Sequence, residues 1–188
     1  MPSWIQGVDE QLVRWFQAHH TRFLDNTFQN LTALGSTTVL VIVSLFCLGL
    51  LLLDRQYKRA FLAVVVLVAA DRATHSVKAW VGRPRPILEH PVKPAVHSAS
   101  FPSNHASLAM TVYPVFALCL RHSAKRSRHY VLLSAILLAL VVGVSRLYLG
   151  NHYLSDVIGG WLLGILFVLA FYSLDRLVDR STRKWQRE

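Results

Sequence analysis

The sequence predicts an all-α fold, a polytopic membrane bundle of about five transmembrane helices preceded by an N-terminal amphipathic helix. Three features lead there. Hydrophobic residues fill 53% of the 188 positions and charged residues only 16%, more apolar than a soluble domain of this size. The apolar residues are gathered into charge-free blocks at 37–53, 102–120, 130–145 and 157–174, and a further run at 60–70 continues into the more polar 71–80. Each block comes near the roughly 20 residues that cross a bilayer. The blocks are also apolar nearly all round, where a soluble bundle would show stripes, and mean hydropathy is +0.38.

Residues 1–30 are expected to form an interfacial helix region. Ile5, Val8, Leu12, Trp15 and Phe16 recur at three- to four-residue spacing, the last pair excepted. That is one face of an amphipathic helix, suited to the membrane surface or to packing on the bundle. The first twenty residues lack the apolar core of a cleavable signal peptide. The spans are expected at 37–53, 60–80, 103–120, 130–149 and 153–175. Residues 37–175 then form the bundle, 176–188 a basic tail, and 1–188 a single membrane domain.

Net charge is +10, and its distribution speaks for topology rather than for nucleic acid. With five spans, 54–59, 121–129 and the tail share one side. They hold Arg55, Lys58, Arg59, Arg121, Lys125, Arg126, Arg128, Arg176, Arg180, Arg183, Lys184 and Arg187, 12 of the 20 Lys and Arg. Basic loops stay in the cytoplasm, so the N-terminus and loop 81–102 are expected outside. Cys47 and Cys119 fall in separate apolar runs without metal or disulfide spacing, and read as core or lipid-facing residues. Gly159, Gly160 and Gly164 read as close helix packing.

Loop 81–102 carries five of the seven prolines, and a connection that long tends to carry function. It lies on the expected outer face with three polar clusters: 78-KAWVGRPRP-86, 102-PSNH-105 and 145-SRLYLGNHYLSD-156. Lys78, Arg83, Arg85 and Arg146 recur there with His105, His152 and one carboxylate, Asp156. Several fixed cations suit an anion, and arginine matches phosphate with its planar fork of donors. Ser103 stands where a helix should begin, and a helix N-terminus is an anion site. His152 and Asp156 are four apart, so Asp156 can orient the ring and leave the other nitrogen as nucleophile. His105 supplies a second imidazole for proton transfer. Any one of these residues alone is more simply an interfacial anchor; the three clusters together favour a site. Asp71, His75 and Lys78 share a helical face, and because Asp71 with Arg72 is costly in lipid these residues are expected to face the bundle, in a structural ion pair rather than in catalysis. His90 and His97 read as solvent-exposed, Tyr148 and Tyr153 as interfacial aromatics.

At these residues the chain resembles the type 2 phosphatidic acid phosphatase superfamily, whose pattern is a Lys, six residues, Arg-Pro; then Pro-Ser-Gly-His; then Ser-Arg, five residues, His, three residues, Asp. Lys78 with Arg85-Pro86, Pro102-Ser103-Asn104-His105, and Ser145-Arg146 with His152 and Asp156 match in order and spacing. The nearest likeness is to small bacterial membrane lipid phosphatases of the phosphatidylglycerophosphate phosphatase B type. The resemblance implies a metal-independent hydrolysis of a lipid phosphate or diphosphate at the outer face of the bacterial inner membrane, with no cofactor. It casts His152 as nucleophile, Asp156 as its orienting partner and His105 as proton donor. Lys78, Arg85, Ser103, Asn104 and Arg146 would hold the phosphate. Arg83 is two residues short of the Lys78 spacing and reads as a loop or headgroup contact. Asn104 replaces the family's glycine, a hint toward a diphosphate, since relatives acting on undecaprenyl diphosphate often carry Asp there. The expected partners are a lipid phosphate and the bilayer, with no nucleic acid and oligomeric state open. Lipid-to-lipid phosphotransfer, a non-catalytic lipid-phosphate carrier and a vanadate-dependent peroxidase are the competing readings.

Overall fold

The protein is described from a computed structural model covering residues 3–87, 98–119 and 125–185. His90 and His97, loop residues 120–124 and the last three residues of the tail lie outside the described residues. Seven helices occupy the described residues: α1 (Ser3–Ala18), α2 (Arg22–Ala33), α3 (Thr37–Leu53), α4 (Tyr57–Val81), α5 (Asn104–Cys119), α6 (Lys125–Tyr148) and α7 (Leu154–Trp185).

Among the described residues, three stretches are long and apolar enough to cross a membrane: Tyr57–Val81, His129–Tyr148 and Leu154–Val178. Helices α2 and α3 pass the same test as a pair bent by 45°. Helix α5, 16 residues long, differs in kind. From Ala106 to Cys119 only Tyr113 is not fully buried, and α3, α4, α6 and α7 all pack against it. The outer helices carry their apolar side chains outward, as at Phe46, Leu53, Phe61, Leu133 and Leu162. An apolar exterior around an apolar centre is the arrangement of a protein solvated by lipid.

Close approach explains the small residues. A Cβ on Gly160 would lie 2.8 Å from the Ser103 carbonyl oxygen, and one on Gly164 would lie 2.7 Å from that of Ser107. These glycines let α7 lie directly against the backbone of α5. On α4 the buried seam is Ala60, Ala63, Val66, Ala70, Thr74 and Lys78. Lys78 continues the spacing of that seam and so ends inside the protein. At the opposite end of the bundle Arg59 Nε donates to Asp175 Oδ1 at 3.0 Å and ties α4 to α7. Cys47 and Cys119 sit in one apolar cluster, half-buried and buried.

The N-terminal region divides where the sequence suggested one interfacial stretch. Thr21 caps α2 by accepting from Leu24 N at 3.3 Å. The apolar face of α1 divides too. Leu12 and Phe16 pack with Ala106, Leu147 and Val157, while Trp4, Val8 and Trp15 are exposed. Tyr148 is not an interfacial aromatic. It is 2% exposed, its hydroxyl donates to Asp25 Oδ1 at 2.8 Å, and its ring stacks on Phe28 and His20. The basic tail is not a loose end: α7 continues helical to Trp185.

Candidate active site

The polar clusters meet at one end of the bundle because helix ends deliver them. Helix α4 stops at Gly82, whose φ of 59° is left-handed, a conformation glycine adopts without cost. The chain then returns so that Ser100 N donates to Arg83 O at 2.7 Å. Lys78 Nζ, from the last turn of α4, donates to the Ala99 carbonyl at 2.6 Å. Arg85 is held by Ser98, through Nε to its carbonyl at 2.8 Å and Nη2 to its hydroxyl at 3.1 Å.

Helix α6 delivers Arg146 in its last turn. Arg146 is buried; its Nη1 donates to Thr32 Oγ1 of α2 at 2.8 Å, and its Nε has no hydrogen-bond partner among the described residues. Gly150, φ 63°, turns the chain into α7. His152 lies in that turn and not on the helix, which begins at Leu154. Asp156 reaches back from the first turn of α7, accepting from Tyr153 N at 3.0 Å.

The expected direct bond between His152 and Asp156 is therefore replaced by a bridge. His152 Nδ1 and Asp156 Oδ2 are 3.6 Å apart, beyond hydrogen-bond range. The Ser100 hydroxyl lies between them, donating a short hydrogen bond to Asp156 Oδ2 and standing 3.4 Å from His152 Nδ1. On the other side of the ring, Nε2 is 3.2 Å from Arg85 Nη1. Arginine only donates, so Nε2 holds the lone pair and Nδ1 the proton. Burial pushes the His152 imidazole down to about 4; the nearby charges of Arg146 and Arg85 act the same way and Asp156 opposes them. His152 is thus a neutral, 2% exposed ring with its lone pair toward the cations.

Ser103 stands just before α5. Its N donates to the Asp156 carbonyl at 3.0 Å, and its hydroxyl accepts from Ala106 N at 3.5 Å. Asn104 opens the helix, its Nδ2 3.4 Å from His75 Nε2 and its Oδ1 buried without a partner among the described residues. His105 follows on the same helix, half-buried, its ring against Gly35 where α2 meets α3. His75 also contacts Asp71, with Nδ1 2.9 Å from the carbonyl and 3.4 Å from Oδ1. Both lie off the buried seam that carries Lys78, and Arg72 is exposed. The expected inward-facing set is thus split, because His75 stands about 100° around the helix from Thr74 and about 60° from Lys78.

Arg83 needs the largest correction. It is not a loop contact. Its Nη1 donates to Asp156 Oδ1 and to Ser155 Oγ, both at 2.6 Å, and its Nη2 donates to Asp9 Oδ2 at 2.8 Å. The guanidinium lies 4.1 Å over the ring of Tyr153, which is thereby a support for Arg83. Asp9, Ser100 and Thr32 are the site neighbours that sequence reasoning missed. Asp9 stands beside Glu10 next to the apolar face of α1, with nothing in the sequence to set it apart, and Ser100 and Thr32 carried no signal either.

The family model of the PAP2 superfamily matches residues 59–179. The chain belongs to that superfamily. Phosphatidylglycerophosphatase B of Bacillus subtilis is 31% identical over 187 residues, covering 96% of this chain and 89% of that protein. The crystal structure of a transmembrane PAP2-type phosphatidylglycerolphosphate phosphatase from Bacillus subtilis superposes with a TM-score of 0.88 at 28% identity, covering 94% and 89% of the two chains. The undecaprenyl-diphosphatase BcrC of the same species is 25% identical over 165 residues, covering 86% of this chain and 80% of the other. The present chain is an integral membrane protein of a superfamily of membrane lipid phosphatases. Its all-helical bundle is the fold that the sequence predicted.

Proposed function

We propose that this chain, as one membrane domain, removes phosphate from a lipid phosphate at the outer face of the bacterial inner membrane, without metal, by displacement on His152. The observation that carries the reading is the buried, neutral His152 with its Nε2 lone pair toward Arg85 and its Nδ1 backed by Ser100 and Asp156. Nε2 attacks phosphorus, the bond from phosphorus to the lipid oxygen breaks, and His105 gives a proton to that oxygen. A water then attacks the phosphohistidine, His105 takes its proton, and phosphate leaves with His152 restored. Arg85, Lys78, Arg146, the Ser103 hydroxyl and the backbone N–H of Asn104 hold the phosphoryl oxygens and stabilise charge during transfer.

The hydrocarbon chain of the substrate lies in an open groove of about 420 Å³ between α3, α4 and α5, lined by Leu40, Leu45, Leu48, Val68, Leu108 and others, with Asp71 and Arg72 also on its wall. Phosphatidylglycerol phosphate is the first candidate, with phosphatidic acid and undecaprenyl diphosphate next. The diphosphate is favoured by Asn104, whose buried Oδ1 and nearby Nδ2 add polar atoms beside the helix N-terminus where glycine would leave none.

The test is phosphate release by reconstituted protein in excess chelator, with all three lipids, for wild type and His152→Ala. Wild type is expected to turn over at least one lipid and the variant none. Retained turnover in the variant would sink the nucleophile assignment, and release only on adding metal would sink the metal-free route.

A further inference from the structure

The geometry points to Asp9, on the N-terminal helix, as a positioning residue for the transfer step: it fixes Arg83, which fixes the Asp156 carboxylate behind His152. This rests on the reading of His152 as nucleophile. Helix α1 lies outside residues 59–179, which match the family model, so the contact adds to what that matched region contains.

Asp9 is 1% exposed, and an amphipathic surface helix gives no reason of its own to bury a carboxylate. The burial is compensated by three groups of the site. Asp9 Oδ1 accepts from Ser155 N at 3.0 Å, Oδ2 accepts from Ser155 Oγ at 2.5 Å, and Oδ2 accepts from Arg83 Nη2 at 2.8 Å. Arg83 thus has a carboxylate at each end of its fork, Asp9 on Nη2 and Asp156 on Nη1.

The two oxygens of Asp156 consequently do different things. Oδ1 is taken by Arg83, whereas Oδ2 faces Ser100, Tyr153 N and His152. If Arg83 shifts, Asp156 rotates and the bridge through Ser100 to Nδ1 loosens. Removing the Asp9 charge leaves Arg83 with one carboxylate in place of two, and the guanidinium is then freer to turn toward an incoming phosphate. Both consequences disturb the chemical step while leaving Lys78, Arg85 and Arg146, which hold the anion, untouched.

The experiment compares wild type, Asp9→Asn, Asp9→Glu and Ser155→Ala in proteoliposomes, with phosphatidylglycerol phosphate, phosphatidic acid or undecaprenyl diphosphate, whichever wild type turns over fastest. Rates are normalised to folded protein from thermal unfolding. Asp9→Asn is expected to lower kcat about tenfold or more at nearly constant KM, since small misplacement of reacting groups costs rate rather than binding. Asp9→Glu is expected to restore part of the loss, and Ser155→Ala to lose kcat several-fold. A kcat within twofold of wild type for Asp9→Asn, or a loss that tracks the folded fraction, overturns the inference while the phosphatase reading stands. Should Asp9→Asn not fold, the kcat–KM split of Ser155→Ala decides alone. An inactive wild type would instead overturn the phosphatase reading.

Discussion

The polar end of the bundle has two halves that contrast in how their cations are held. In one, Arg83 is clamped between Asp9 and Asp156, lies over Tyr153, and has both ends of its fork bonded. In the other, Lys78, Arg85 and Arg146 are bonded to carbonyls and hydroxyls of the loop and α2, and Arg146 Nε is buried with no partner among the described residues. A buried cation without a carboxylate is costly unless an anion joins it. On the proposed reading the contrast separates scaffold from binding surface within a few residues: the neutralised arginine would set geometry, and the under-neutralised cations would set affinity for phosphate.

The largest effect that sharpens this contrast is at Arg85, the cation facing His152 Nε2. Arg85→Ala is expected to lower kcat/KM by about 10²–10³, the loss typical of a removed charge-stabilising donor. If Arg83→Met costs as much in binding of inorganic phosphate as Arg85→Ala does, the two halves are not distinct.

Next comes stability. Arg83→Met strands the carboxylates of Asp9 and Asp156 together and is expected to cost about 3–5 kcal/mol of stability. Adding Asp9→Asn removes one stranded charge and should raise the melting temperature again. A double variant less stable than Arg83→Met would refute the clamp.

Protonation distinguishes the halves more gently. His152, facing Arg85, Arg146 and Asp156, should stay neutral in ring NMR spectra down to about pH 5 and titrate near 4. Its folded value lies below the ordinary 6.5 of free histidine. The stability it confers is therefore complete above about pH 6.5 and is lost as pH falls through about 4. Titration near neutrality would show a ring more open to water than the bridge through Ser100 allows.

The smallest effect lies beneath the site. Gly160→Ala places a Cβ against the Ser103 carbonyl and is expected to cost about 1–3 kcal/mol, as overpacking does. Phosphate affinity should fall with it, because Ser103 leads into the α5 N-terminus.

The apolar helices and the three clusters were legible because both are local, although the block at 103–120, expected as a span, is too short as α5 to pass as one. An apolar block announces a helix, and the spacings Lys78 to Arg85 and His152 to Asp156 are read along one turn or loop. The clamp and the anchors were not. Asp9 meets Arg83 across 74 residues, and Thr32 meets Arg146 across 114, each through one polar side chain with no periodicity to mark it. The break between α1 and α2 had a local signal, Thr21 ahead of Asp25, matching an N-cap with an acidic first turn. Helix α5 resembled the other blocks in composition, and only its packing reveals that it is the centre. Composition records how apolar a segment is, not whether lipid or protein surrounds it.

That central placement has a consequence for life in a bilayer. Sixteen residues of helix rise only about 24 Å, less than the roughly 30 Å of hydrocarbon that a spanning helix must cross. Sheathed by its neighbours, α5 need not match the membrane at all. Changes in lipid thickness are absorbed as tilt by the long helices α4, α6 and α7, while the element bearing Ser103, Asn104 and His105 rides inside a protein sleeve. The chemistry proposed for those residues would thereby be insulated from the acyl-chain length of the host membrane.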